Sequence, residues 1–137
     1  IKESTLEVTR VRDIFDLCGD RIDVFAGILG YESFWLGAVG WVAVCSNLMP
    51  KESARLFELV ADESDKDAAL ALYRKILPVV RWVGGPRYVS ASKAGLAMMG
   101  LPVGDPRAPR LPLPKPDRAA LQETLASLDL VGSLTSA

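Results

Sequence analysis

No histidine occurs in the 137 residues. That absence removes Ser–His and Cys–His nucleophile pairs and the commonest zinc ligand. Any chemistry falls to lysine, carboxylates, tyrosine, serine, threonine or the backbone. Cysteine is nearly absent. Cys18 and Cys45 stand alone, at a spacing that matches no metal pattern and in a number too small for a disulfide framework. Both read as small buried hydrophobes, in keeping with a reducing cytoplasm. Neither sign of charge dominates, since the formal net charge is −1, and no strongly basic face argues for nucleic acid. No apolar run reaches the roughly 18 residues that a membrane helix requires. No secretory leader is visible. Nothing here calls for a metal or an organic cofactor.

What is present is an apolar chain, 50% hydrophobic, which suits one globular domain or part of a larger one. Ser4-x-x-Glu7 has the form of a capping box. Behind it Val8, Val11, Ile14, Phe15 and Cys18 recur at helical spacing, and Gly19-Asp20 stops the run. The pattern predicts a helix over 5–18, with Ile1-Lys2 where a strand would end. Residues 22–27, IDVFAG, read as a short strand closed by glycine, followed by a compact helical stretch, YESFWLGA. Residues 40–47, GWVAVCSN, are a second nearly continuous apolar run. Strands without polar alternation are covered on both faces, as in a parallel sheet. Pro50 opens a helix whose inner face is read as Ala54, Phe57, Val60 and Ala61. Strand end, helix, strand, helix, strand, helix is the α/β pattern.

After residue 63 the strand signals stop. Ser64-x-x-Asp67 is read as the cap of a long helix carrying Ala69, Leu72, Tyr73, Ile76 and Val80, which Pro78 kinks or shortens. Gly84-Gly85-Pro86 breaks the chain. A helix over 88–100 follows, with Val89, Ser92, Leu96 and Met99 on one side. Prolines at 102, 106, 109, 112, 114 and 116, interleaved with Leu and Val, describe an extended strap lying on a surface. Asp117 is read as the cap of a last helix with Leu121, Leu125 and Leu128 inward, and 131–137 as a frayed tail. The units are thus an α/β segment over 1–63, a helical segment over 64–130 and a tail over 131–137. Three strands that need cover on both faces and leave both edges bare do not make a stable sheet. The sequence reads as the second half of something larger.

The order IKES, VFAG, LGAVGWVAVCSNLMP, SASKAGLAMMGLPVGDPR and RLPL resembles the C-terminal half of the dihydrodipicolinate synthase / N-acetylneuraminate lyase family. The likeness covers nearly the whole chain. Its most specific pieces are Ile1-Lys2-Glu3-Ser4 and the glycine-rich approach to a strand at Gly37, Ala38 and Gly40, with Asn47 beyond it. The resemblance implies the C-terminal part of a (β/α)8 TIM barrel, strands six to eight, plus a C-terminal helical extension. Strand six would end at Lys2, with strand seven over 22–26 and strand eight over 41–45. It implies an N-terminal half of the barrel as partner, a homodimer or homotetramer, and a cytoplasmic enzyme.

The resemblance also assigns roles. Lys2 matches the lysine that forms a Schiff base with pyruvate or another 2-keto acid. Amines attack carbonyls only when unprotonated, and an ordinary lysine is protonated at neutral pH. Burial at a barrel strand's C-terminal end, where such barrels keep their active sites, disfavours the ammonium. A backbone carbonyl near Val42 resembles the group that steadies the keto acid, and Gly27 ends a strand where backbone approaches substrate. The family's proton-shuttling tyrosine and carboxylate-binding threonines match nothing here, and Tyr31, Tyr73 and Tyr88 fit core or interface roles. The departures bear on substrate. Gly27-Ile28-Leu29 stands where synthases of dihydrodipicolinate carry Gly-Asp-Asp, Leu6 replaces an expected glycine, and Trp41 replaces an aliphatic residue.

Other groups read more plainly. Asp16, Asp20 and Asp23, and Asp62, Glu63, Asp65 and Asp67, are solvated carboxylates before they are metal or acid–base sites. Trp35 and Trp41 read as core. Asn47 reads as a support for its loop. Gly84-Gly85 with Arg87 is too little for a phosphate loop. Three functions stand. One is a metal-free, class I pyruvate lyase, dihydrodipicolinate synthase-like. The second is an aldolase or dehydratase of 2-keto-3-deoxy sugar acids from the same family. The third, of another class, is a non-catalytic module that binds keto acids without turnover.

Overall fold

The computed structural model describes residues 1–61 and 65–134. Three short strands, β1 (Lys2–Glu3), β2 (Phe25–Ala26) and β3 (Gly40–Trp41), form one parallel sheet in the order β1-β2-β3. Helices α1 (Thr9–Cys18) and α2 (Gly30–Trp35) connect them. Then come α3 (Pro50–Ala61), α4 (Lys66–Val83), α5 (Tyr88–Met99) and α6 (Lys115–Ala126). The class is α/β with parallel strands, as the alternation of strand and helix signals predicts. The chain divides into two compact units, Ile1–Ile76 and Leu77–Ala137, with α4 running through the division. Among the described residues no helix is long and apolar enough to cross a membrane.

In the first unit the sheet buries one face. Val11 of α1 packs with Val24, Ala26 and Ala38, and Ile14, Phe15, Phe34 and Trp41 lean against them. Gly30 is there because the Trp41 indole occupies the place its side chain would take. A second apolar layer holds Cys45, Leu48, Met49, Leu56, Leu59 and Val60, all buried. The inner face of α3 differs from its reading: Leu56, Leu59 and Val60 are buried, while Phe57 is 39% exposed and Ala54 and Ala61 are exposed. Two stripes with the same 3.6-residue period run along this helix, and periodicity alone does not say which one meets a neighbour.

The expected helix start at Ser4 is corrected. Helix α1 begins at Thr9, and its N-cap Val8 offers no side-chain bond. Residues 4–8 form a turn instead. Glu3 accepts from the Thr5 amide at 2.8 Å and Glu7 from the Thr9 hydroxyl at 2.6 Å. Leu6 takes φ 66°, the left-handed region that glycine enters without cost. The long strand expected over 41–45 is also corrected, because Val44–Asn47 is a 3₁₀ turn. The Ser46 hydroxyl donates to Ala43 O at 2.6 Å and the Asn47 amide to Val44 O at 2.9 Å. Such local bonds draw the backbone out of a ladder, and Asn47 does support its loop as expected.

Helix α4 is capped by Asp65, whose carboxylate accepts from the Ala68 amide at 2.8 Å. Ser64 of the predicted cap lies outside the described residues, as do Asp62 and Glu63. The helix continues past Pro78 to Val83. Of its expected inner face, Ala69, Tyr73, Ile76 and Val80 are buried. In the second unit α5 and α6 pack on each other around Ala91, Ala94, Met99, Leu121 and Leu125. Trp82 Nε1 donates to the Thr124 hydroxyl at 3.1 Å. The proline strap lies against α5 as expected, held by the Ser90 hydroxyl on Leu111 O at 2.7 Å and by Lys93 Nζ on Val103 O at 2.9 Å. Asp117 does not cap α6, whose N-cap is Pro114; it pairs with Arg87 at 2.6 Å. Of the tail expected to fray over 131–137, residues 131–134 are hydrogen-bonded and 135–137 lie outside the described residues. Gly132 N donates to Met98 O at 2.9 Å and Leu134 N to Met99 O at 2.8 Å.

Two substitutions test this account by urea unfolding. Leu121→Ala, at a fully buried position, costs about 2–5 kcal/mol. Leu6→Gly releases a left-handed strain of about 1–2 kcal/mol against the backbone entropy of glycine, about 0.5–1 kcal/mol. It therefore leaves stability unchanged or raised, where an exposed Leu→Gly elsewhere would lower it.

Candidate functional site

Parallel register sorts the strand residues. Lys2 pairs with Phe25 and Phe25 with Gly40; Glu3 pairs with Ala26 and Ala26 with Trp41. Successive side chains on a strand point to opposite faces, and in-register neighbours share one. Glu3, Ala26 and Trp41 therefore face the α1–α2 layer. Lys2, Phe25 and Gly40 face the other way. That second face carries no covering layer among the described residues: Phe25 is 40% exposed, and Val42, two positions beyond Gly40, is exposed as well.

Lys2 thus stands in the edge strand β1, on the open face. It also borders an open groove of about 900 Å³ whose lining includes Glu3, Ser4, Thr5, Arg10 and Asp13. The enclosure expected for Lys2 is not present in this chain, because its side chain is exposed. A three-stranded sheet does not close on itself, and among the described residues of the first unit nothing covers the row that Lys2 begins.

Gly27 follows β2 directly. Its amide donates to Glu3 O at 2.7 Å, which draws the strand ends together. A side chain here would collide with the Ser4 hydroxyl, and its Cβ would lie 2.7 Å from Glu3 O. The close packing at Gly27 is thus against the Ser4 side chain and the Glu3 carbonyl of this same chain. Val42 N donates to Ala26 O at 2.8 Å, extending the ladder one residue past β3. Of the three residues singled out in the sequence, Gly27 and Val42 directly follow β2 and β3, while Lys2 opens β1 and is level with Phe25 and Gly40, two residues further back. Two neighbours were missed. Phe25 and Gly40 share the row of Lys2, a fact carried only by the pairing register. Ser4 was read as a helix cap, and its hydroxyl instead fills the space above Gly27.

The remaining candidates resolve into structure. Asp16, Asp20 and Asp23 are exposed, and among the described residues no group of three metal-ligating side chains converges. Tyr31 stacks on Tyr73 with ring centroids 4.5 Å apart, and the Tyr73 hydroxyl donates to Glu32. Trp35 is not core: it is 38% exposed with the Lys66 amine 5.0 Å from its ring. Arg110 lies 5.5 Å from the Tyr88 ring. Cys45 is buried, and burial pushes its thiol up, which keeps it neutral and unreactive. Cys18 is only half-buried.

The three parallel strands and their connecting helices define an α/β protein. Residues 1–128 match the Dihydrodipicolinate synthetase family, and the chain belongs to it. It is 32% identical over 133 residues to the 4-hydroxy-tetrahydrodipicolinate synthase of Pelobacter propionicus, covering 96% of this chain and 46% of that protein. It is 33% identical over 127 residues to the enzyme of that name from a Synechococcus species, covering 91% of this chain and 41% of that one. Among solved structures, it superposes on 4-hydroxy-tetrahydrodipicolinate synthase from Methylacidiphilum fumariolicum with a TM-score of 0.83 at 30% identity, over 94% of this chain and 43% of that one. The chloride-inhibited dihydrodipicolinate synthase from Acinetobacter baumannii, solved with pyruvate, gives 0.83 at 26% identity, over 96% of this chain and 45% of that one. The chain spans about half the length of the curated relatives it matches.

The tight packing at Gly27 carries its own test. Gly27→Ala destabilises the protein by about 1–3 kcal/mol, the range of overpacking in a close-fitted site. Adding Ser4→Gly recovers only part of the loss, because Glu3 O still blocks the methyl. Equilibrium denaturation of the single and double variants reads both effects.

Proposed function

We propose that the protein acts as a class I lyase that handles pyruvate or a related 2-keto acid through an imine on Lys2. In this reading β1, β2 and β3 are the sixth, seventh and eighth strands of a (β/α)8 barrel, and the helical segment after α3 is an extension of it. The observation that carries the proposal is the register that sets Lys2 on the uncovered sheet face beside Phe25 and Gly40, two residues before Gly27 and Val42 on the neighbouring strands. Family membership and the pyruvate complex of a 26%-identical relative support it. No metal or organic cofactor enters the scheme.

The chemistry follows from the amine. Its nitrogen lone pair attacks the C2 carbonyl of the keto acid, and the carbonyl oxygen leaves as water. The resulting iminium draws electrons from the C2–C3 bond region and acidifies the C3 hydrogens. Loss of a C3 proton gives an enamine that adds to an aldehyde; the reverse sequence cleaves the C3–C4 bond. Pyruvate is the favoured keto acid. The aldehyde differs in class from that of the relatives, because the apolar Ile28-Leu29 pair stands at the rim where dihydrodipicolinate synthases carry two aspartates.

The exposure of Lys2 in this chain favours one second reading, a keto-acid-binding module without turnover. One experiment separates the two. The protein, as expressed from its own gene, is mixed with pyruvate, reduced with borohydride and digested for mass spectrometry. The lyase reading expects a pyruvate-derived adduct on Lys2 and its loss in Lys2→Ala, with turnover down at least about 10³-fold. Unaltered calorimetric binding of pyruvate to Lys2→Ala, with no adduct in the parent protein, would establish the binding module instead.

A further inference from the structure

Three positions lie abreast on the open sheet face: Lys2, Phe25 and Gly40. Neighbouring strands run about 4.8 Å apart, so Phe25 is the immediate neighbour of Lys2. The Phe25 ring does not stand over β1. It lies across Gly40, where a Cβ would sit 2.7 Å from Cδ1 and 2.8 Å from Cε1 of the ring. The ring thus occupies the space that a side chain from β3 would fill. One pleat further along β3 on the same face is Val42, also apolar and 48% exposed. On the β3 side of Lys2, Phe25 and Val42 present an apolar wall without a side-chain donor or acceptor.

We propose that this wall makes Phe25 a specificity-determining residue: it restricts the imine-forming substrate to 2-keto acids that are unbranched at C3. The inference rests on the lyase reading of Lys2 and deepens it. A keto acid held on Lys2 has one C3 substituent free to point out along the strand ends, so a C3 methyl or methylene is admitted. With two carbon substituents on C3, one of them is set on the β3 side of Lys2, toward the wall. The ring cannot yield toward β3, because the backbone of Gly40 already lies beneath it. A polar group directed at the same wall loses its water and finds no partner. The bulk at position 25 and the missing side chain at position 40 are therefore one device. A methyl on Gly40 forces the ring off β3 and into the space the keto acid would use.

The test is borohydride trapping at Lys2, followed by intact-mass spectrometry, with pyruvate and with 3-methyl-2-oxobutanoate. The variants are Phe25→Ala, Phe25→Leu, Gly40→Ala and Gly40→Ala with Phe25→Leu. The parent protein is expected to trap pyruvate at least about tenfold faster than the branched acid. Phe25→Ala narrows that preference by about tenfold, in the range that one or two methylenes discriminate in an apolar pocket; should it fail to fold, Phe25→Leu narrows it by a smaller factor. Gly40→Ala slows pyruvate itself, and adding Phe25→Leu restores it. An unchanged preference in the Phe25 variants, with pyruvate still trapped at Lys2, overturns this inference and leaves the lyase reading standing. A parent protein that traps neither acid overturns the lyase reading and this one with it.

Discussion

The parallel register of three short strands is the constraint on which the site depends. Backbone bonds at its margins help hold it, among them Phe25 N to Ile1 O, Gly27 N to Glu3 O, Val39 N to Val24 O and Val42 N to Ala26 O, all between 2.7 and 2.9 Å. They decide which side chains are neighbours. A slip of one residue would send Lys2 into the helical layer and bring Glu3 onto the open face. With the register as it is, the apolar residues Val24 and Ala26 are sealed under α1 and α2, and the lysine is left with backbone and an aromatic ring beside it.

The two faces of the sheet obey different rules. The helical face is a packed core in which glycine, tryptophan and valine interlock, and its side chains are replaceable only by others of like volume. The opposite face is apolar yet uncovered, a condition a parallel sheet does not ordinarily keep. Half the length of the curated relatives lies beyond the match with this chain. Function, in the proposed reading, belongs to the uncovered face, where Lys2 has room and reagents have access. Glycine serves both faces: Gly27 lets strand ends close up, and Gly40 gives an aromatic ring its bed.

Much of this was legible in residue order. The alternation of elements gave the α/β class, Pro50 marked the start of α3, and the proline spacing described a strap that does lie along α5. Lys2, Gly27 and Val42 were singled out by likeness of local motifs; they fall on three neighbouring strands, with Lys2 two residues behind the other two. The misreadings share a cause. Ser4-x-x-Glu7 has the letters of a capping box, but Leu6 turns left-handed and postpones the helix to Thr9. Residues 41–45 have β-branched content, but Ser46 and Asn47 bind the backbone locally and wind it into a 3₁₀ turn. Asp117 could cap α6, but Arg87 offers a charged partner at 2.6 Å. In each case a side chain had two possible partners, and only one was near in sequence.

The amino-acid order by itself determined the kinds of element and their succession, because these depend on local propensity, apolar period and motif. Only the tertiary structure decided that Phe25 and Gly40 stand beside Lys2, that Leu56 rather than Phe57 turns inward on α3, and that Lys2 is uncovered in this chain. Those facts depend on register and on which of two apolar stripes meets a neighbour. Both are settled between segments far apart in sequence, where periodicity carries no information about rotation or alignment.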